Sequence, residues 1–328
     1  MHCAITLRRF GVTLVSTLVV LLGAPFVAAQ GFPAKPVRMV LPFSPGGATD
    51  ILARIAGQAL SEAWGQSVIV DNRPGAGGAI AGSLVTRANP DGHTLYMPSG
   101  TIVTANPHIY PKLPYNPGKD LVPITNLASS PQVIVVQPGF AARTVKDLIA
   151  MAKAKPKTIT FSSAGVGSQT HLAAESLAFA AGIDATHVPY KSGGLAANAV
   201  LSGEVNLTTA NVPVAVGHIN QGRLRALAVT SRARIRQLPD VPTVADTIPG
   251  FENLGWWALM APRGTPKVVI EKIQRDVVKM LQSPDMRARL DQLGMDPIGS
   301  SPAQFARQLR QESEQWAKIV RERGLRVN

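Results

Sequence analysis

Short β-rich runs alternate along the chain with longer stretches in which apolar residues return every three or four positions. Val37–Leu41 predicts a strand, and Thr49–Trp64 the helix after it. Ser67–Val70 and Thr94–Met97 predict strands on either side of a helix at Gly78–Ala88. Gln132–Gln137, a helix at Thr144–Lys155 and a strand at Thr158–Ser162 continue the alternation. A helix at Ser168–Ala181 precedes strands at His187–Tyr190, Val205–Thr209 and Leu224–Thr230, with helical turns between. Strands and helices alternating at these lengths predict an α/β architecture with largely parallel sheets.

The C-terminal part is helical. Val269, Ile273, Val277 and Leu281 fall on one helix face, and Phe305, Leu309, Trp316 and Val320 on another, as core-facing stripes. Thr265 is expected to cap the first of these helices, with Pro266 in its first turn. Breakers and short polar runs at Ser129-Ser130-Pro131 and at Pro249-Gly250 mark two crossings between lobes. They divide the chain into lobe 1, residues 30–130 plus 251–328, and lobe 2, residues 131–250. The cleft between two lobes is a usual home for a small-molecule site.

The first residues read as an export signal. Arg8 and Arg9, an apolar stretch from Phe10 to Leu22 and the small residues Val27-Ala28-Ala29 follow the order of a secretory signal peptide. Cleavage is expected after Ala29, so residues 1–29 form the signal peptide. The apolar stretch is too short to span a bilayer, which needs about 20 residues. The only cysteine, Cys3, precedes it, which excludes disulfides, a thiol nucleophile and a lipidated cysteine from the exported part. A formal net charge of +13 attracts anions. Export argues against nucleic acid as that anion. The densest basic cluster, Arg232, Arg234 and Arg236, reads as a solvated turn before Pro239.

Two segments carry chemistry. Phe43-Ser44-Pro45-Gly46-Gly47-Ala48-Thr49-Asp50 joins a strand to an amphipathic helix, and the glycines remove bulk where the backbone turns. The first N–H groups of a helix have no intrahelical partner, and the helix dipole adds positive charge there. Together they make an anion pocket without an arginine. Asp50 either caps this helix or takes a ligand donor through water. Ser163-Ala164-Gly165-Val166-Gly167-Ser168-Gln169-Thr170-His171 repeats the layout of strand, small-residue loop and helix. Two such loops facing one cleft can grip a carboxylate from both sides.

Other chemistries fit less well. Ser168 and His171 suggest a hydrolase, but no G-x-S-x-G elbow and no third triad member accompany them. His171, on the inner side of a first helical turn, is more often a packed or capping histidine. Asp71-Asn72-Arg73-Pro74-Gly75-Ala76-Gly77-Gly78 has a G-x-G, yet Ile80 takes the last glycine position and a turn separates strand from glycines, unlike a dinucleotide site. No Walker loop and no metal-ligand spacing is present, so neither cofactor nor metal is expected.

These strings, in this order, resemble the Bug/TctC family, the solute receptors of tripartite tricarboxylate transporters. The resemblance runs through Pro42–Asp50, Asn72–Gly78, Asn89-Pro90-Asp91-Gly92, Ser163–Ser168 with His171-Leu172, and Val188-Pro189-Tyr190-Lys191. It continues through Leu224–Thr230, Leu238–Thr243 and Ala261–Pro266. It implies a two-lobed periplasmic binding protein (type II) fold, α/β, with two Rossmann-like lobes and a ligand cleft between them. It implies no enzyme activity. A carboxylate would sit between the loop bearing Phe43, Pro45, Gly46, Gly47, Ala48 and Asp50 and that bearing Ser163, Gly165, Gly167, Ser168, Gln169, Thr170 and His171. Tyr190, Asn206, Thr209 and Asn211 would read the rest of the ligand. The implied setting is the periplasm, as a monomer. The implied partners are membrane permease subunits or, alternatively, a membrane sensor kinase.

The chain departs from the family pattern at Gly203-Glu204-Val205-Asn206, at Pro189-Tyr190-Lys191-Ser192 and at Thr208-Thr209-Ala210-Asn211, where acids or a glycine are usual. Fewer acids near the cleft point away from ammonium-bearing ligands and toward a simple carboxylic acid. Calorimetry is expected to show binding of plain acids; tight aspartate or glutamate binding without it would contradict this expectation.

Overall fold

A computed structural model describes residues 31–326. The predicted signal peptide, residues 1–29, lies outside the described residues. The chain opens with β1 (Val37–Leu41), α1 (Ala48–Trp64), β2 (Val68–Asn72), α2 (Ala79–Thr86), β3 (Thr94–Tyr96) and the short helices α3 (Gly100–Thr104), α4 (Asn106–Ile109) and α5 (Pro117–Asp120). A long strand, β4 (Leu121–Val136), leads to α6 (Val145–Ala154), β5 (Thr160–Ser163), α7 (Gln169–Ala181), β6 (Thr186–Pro189) and α8 (Gly193–Leu201). Next come β7 (Leu207–Asn211), α9 (Val212–Asn220), β8 (Arg225–Val229) and β9 (Leu254–Pro262). The chain closes with α10 (Lys267–Gln282), α11 (Pro284–Gln292), β10 (Asp296–Pro297) and α12 (Pro302–Arg323).

Local chemistry sets several of these limits. Thr144 and Asp147 open α6 with a reciprocal capping box, and Ser301 and Gln304 do the same for α12. Gly65, at φ 64°, ends α1 and returns its N–H to Ser61 O.

The strands run β2-β1-β3-β9-β4-β7-β5-β6, with β8 and β10 also on β4. β1 pairs in parallel with β2 and β3, and β5 with β6 and β7. β4 and β9 are antiparallel to their neighbours, so each lobe carries a mixed sheet rather than the largely parallel one predicted. β4 is shared: Leu121–Pro131 pairs with β9, and Gln132–Val136 pairs with β7. Pro131 falls where β4 changes partner, so its missing N–H removes little from the ladder.

The hydrophobic core divides along the same line. Met39, Leu52, Leu95, Ile124, Trp257 and Ile273 pack together on one side. Ile134, Leu148, Phe161, Leu177 and Leu207 pack together on the other. Phe251, placed in lobe 1 by the sequence, has its ring in this second core. The stripes on α10 and α12 are core-facing as predicted, with Ile273, Val277, Phe305 and Val320 buried.

The segment before Pro131 reads as a broken linker, yet it is strand. Its polar groups find partners far along the chain. Thr125 Oγ1 donates to Ser300 O (2.8 Å), Ser300 Oγ accepts from Asn126 N–H (2.9 Å), and Asn126 Nδ2 donates to Gln308 (3.1 Å). Thr265 is not the N-cap of α10. Its hydroxyl donates back to Pro262 O (2.8 Å), and Pro266 holds the cap position.

Candidate functional site

Parallel strands deliver helix starts to one edge of each lobe. In the first lobe β1 leads to α1 and β3 leads to α3; in the second, β5 leads to α7, β6 to α8 and β7 to α9. These five starts converge on one cavity. Phe43, Gly47, Ala48, Thr49, Ser99 and Trp257 line it from the first lobe. Ala164, Ser168, Gln169, Thr170, Gly193 and Asn211 line it from the second. Its cavity volume is small, about 20 Å³. No side chain that lines it, among the described residues, is charged. Its positive potential therefore comes from main-chain amides and helix dipoles.

The two loops read from the sequence are braced from behind. Asp50, only 4% exposed, accepts from the Gly46 amide (3.1 Å), from Asn72 Nδ2 (3.0 Å) and from Arg54 through two bonds of 3.0 Å. Burial alone would raise the Asp50 carboxyl. The bonds from Arg54, Gly46 and Asn72 outweigh it and hold the group below its ordinary value. Asp50 therefore fixes the loop and does not line the cavity. On the facing loop, Gly165 and Gly167 take left-handed φ values of 116° and 76°. Ser168 caps α7, and Thr170 Oγ1 accepts the Ala164 amide (2.9 Å).

His171 and Ser163 also hold the loop. His171 Nδ1 accepts from the Gly167 amide (3.2 Å), and its ring stacks on His187 at 4.1 Å between centroids. Burial, with His187 beside it, pulls His171 down to about 3, and burial pulls His187 down to about 4. Both rings are neutral at ordinary pH, so the approach of His171 to Glu175 is not an ion pair. Ser163 Oγ lies 2.6 Å from His187 Nε2, but it is fully buried and also accepts the Gly165 amide (3.1 Å). It offers no reachable nucleophile.

The lobes touch across the cavity. The Ser44 amide donates to Lys191 O (3.0 Å), Tyr110 Oη to Val166 O (3.0 Å), and Gln169 Nε2 to Trp256 O (2.6 Å). At Gly194 a Cβ would stand 2.5 Å from Gly46 O, so this approach of backbone to backbone needs glycine.

Of the residues predicted for the site, Phe43, Gly47, Ala48, Ser168, Gln169, Thr170 and Asn211 line the cavity. Pro45, Gly46, Gly165 and Gly167 shape the adjoining loops. Three residues expected to read the ligand are turned elsewhere. Thr209 donates to Thr170 O. Tyr190 Oη donates to Glu204 (2.6 Å), beyond the far end of α8. Asn206 accepts from Thr160 N–H (2.8 Å), level with the start of β5, about 16 Å of strand from the cavity end of β7. Thr49, Ser99, Ala164, Gly193 and Trp257 line the cavity without having been singled out. Pro98-Ser99-Gly100 and Ser192-Gly193-Gly194 carry the same signature of small residues after a strand, and would have revealed two of them.

A roomier groove of about 350 Å³ runs between α7 and α12 past Leu172, Trp316 and Ile319. It lies away from the converging helix starts. Among the described residues no group of three or more His, Cys, Asp or Glu side chains is disposed to hold a metal ion.

An α/β shell in two lobes, touching over a neutral cavity rich in amides, is the architecture of a solute-binding receptor. Residues 52–325 match the model of the TctC family, the tripartite tricarboxylate transporter family receptors, and the chain belongs to that family. Its fold and family are those of receptors, not enzymes. It is 36% identical to Protein BugT of Bordetella pertussis over 303 residues, 92% of this chain and 93% of the relative. Among solved structures it is similar to the periplasmic binding protein BugD (32% identity, TM-score 0.86, 90% of this chain and 100% of that one). It is similar to a Rhodopseudomonas palustris protein with adipate (33%, 0.86, 89% and 98%). It is also similar to MatC from Rhodopseudomonas palustris with bound malate (31%, 0.84, 88% and 100%).

Asp50→Asn is expected to destabilise the protein by about 1–3 kcal/mol at neutral pH, because the Arg54 and Gly46 donors lose a charged acceptor. The Asp50 carboxyl is depressed in the fold, so its stabilisation is present above about pH 4 and lost as pH falls through the folded value. Urea unfolding of both proteins between pH 7 and pH 3 checks this: the difference in stability should shrink toward the acid end.

Proposed function

We propose that this chain captures a small organic carboxylate between its lobes in the periplasm and presents it to the membrane permease subunits of a tripartite tricarboxylate-type transporter. One observation carries the reading: five helix starts from two lobes meet around a cavity lined by no charged side chain among the described residues. An uncharged cavity under positive main-chain potential favours an anion with no cationic group of its own. The adipate and malate of the related structures support this class of ligand. Family membership supports the transport role. The amides of Gly47 and Ala48 would take the carboxylate from one side, and those of Gln169 and Thr170 from the other.

The division into 30–130 with 251–328 against 131–250 serves as the pair of rigid bodies, with Phe251 moving with the second. The ligand contacts both, so it favours the closed arrangement in which both sets of contacts form. Trp257 lines the cavity and Trp256 O meets Gln169, which makes tryptophan fluorescence a reporter of closure.

Two variants test the reading. A Cβ at Gly47 would lie 3.4 Å from the Gly193 amide nitrogen, so the methyl groups of Gly47→Val enter the gap between the lobes. Acid-induced rises in Tm should vanish while circular dichroism stays unchanged. Gly194→Ala places a methyl against Gly46 O only when the lobes close. Alanine favours the first turn of α8 by about 0.5–1 kcal/mol over glycine. The free protein should therefore hold its Tm while affinity falls at least about tenfold, because the competent state is depopulated. Unchanged affinity in both variants would contradict capture between these loops.

A further inference from the structure

Ser99 is a hydroxyl in search of a partner. It lines the cavity at the start of α3, it is 2% exposed, and its Oγ is sealed from solvent with no hydrogen-bond partner among the described residues. Its backbone is held on both sides. Ser99 bridges to Trp257, and the neighbouring Pro98 O accepts the Ala258 amide (3.3 Å). Gly100 lies so close under the Trp256 ring that a Cβ there would overlap it. The segment is clamped to β9, which holds the Ser99 backbone at the cavity wall.

The hydroxyls opposite already have partners. Ser168 Oγ accepts the His171 amide (3.3 Å) and meets Thr170 Oγ1 (3.2 Å), while Thr170 Oγ1 accepts the Ala164 amide (2.9 Å). Gln169 Nε2 donates to Trp256 O (2.6 Å). Ser99 Oγ keeps both its donor and its acceptor capacity for whatever enters. A buried polar group left unpaired is costly, and a site that pairs with a ligand hydroxyl rejects the analogue lacking it. An alcohol brings one donor and one acceptor, which matches serine.

We infer that Ser99 is the specificity-determining residue by which this cavity selects hydroxy acids over the same acids without the hydroxyl. The inference rests on the carboxylate reading and adds to it the second functional group of the ligand.

Calorimetry with malate against succinate, and lactate against propionate, on the wild type and Ser99→Ala tests it. The variant removes an unpaired buried hydroxyl with little change of volume, so it should fold with unchanged or higher Tm. The wild type should bind the hydroxylated member of at least one pair about tenfold tighter or more. Ser99→Ala should weaken that member alone and bring the pair within about twofold. Equal binding of both members by the wild type would overturn the inference, as would an equal loss for both in Ser99→Ala, which marks a hydroxyl serving the shared carboxylate or its water. If other acids bind but none of these four, the inference fails and the carboxylate reading stands. If no organic acid binds at all, both fail.

Discussion

An anion leaving water must be met by donors already in place, and the donors this cavity offers are main-chain N–H groups at the starts of helices. Each helix start has amides that the helix itself cannot use, and each adds positive potential from its dipole. One start takes part of a carboxylate's hydration shell; several facing starts can replace much more of it. α1 and α3 lie in one lobe, and α7, α8 and α9 in the other, so the full donor set exists only when the lobes meet. On the proposed reading, binding and closure are one event. Ligand contacts to both lobes would then supply the differential affinity that a population shift requires.

Much of the rest of the molecule keeps those donors aimed. Asp50 draws the Gly46 amide, Asn72 and Arg54 together behind the first loop. His171 and Ser163 do the same behind the second through the Gly167 and Gly165 amides. These residue types suggest chemistry in the sequence, but their polar atoms face the loops rather than the cavity. β4 runs unbroken from one sheet to the other, and Thr230 and Asn253 exchange hydrogen bonds at the second crossing, so the lobes are joined by hydrogen-bonded strands.

The α/β class and the two main loops were legible because strand, glycine or serine, and helix follow each other within a dozen residues. The lobe 1 core stripe on α10 was legible from its spacing. The long β4 was not, because Thr125 and Asn126 are satisfied by Ser300 and Gln308, partners invisible to a local pattern. Asn206 and Asn211 look alike in sequence as polar residues flanking one strand. Only the direction of β7 tells that Asn211 reaches the cavity and Asn206 the opposite end. Ser99 carried the right local signature, but its orphaned hydroxyl is a property of packing against β9, which brings Trp256 and Trp257 from 157 and 158 positions away in the chain.

The most direct measurement is a crystal structure of the protein with an organic acid bound. The account predicts carboxylate oxygens within hydrogen-bond distance, directly or through one ordered water, of amides from both the Gly47–Thr49 and the Ser168–Thr170 segments. A ligand seated in the groove between α7 and α12, or held by one lobe alone with the other standing open, would contradict it.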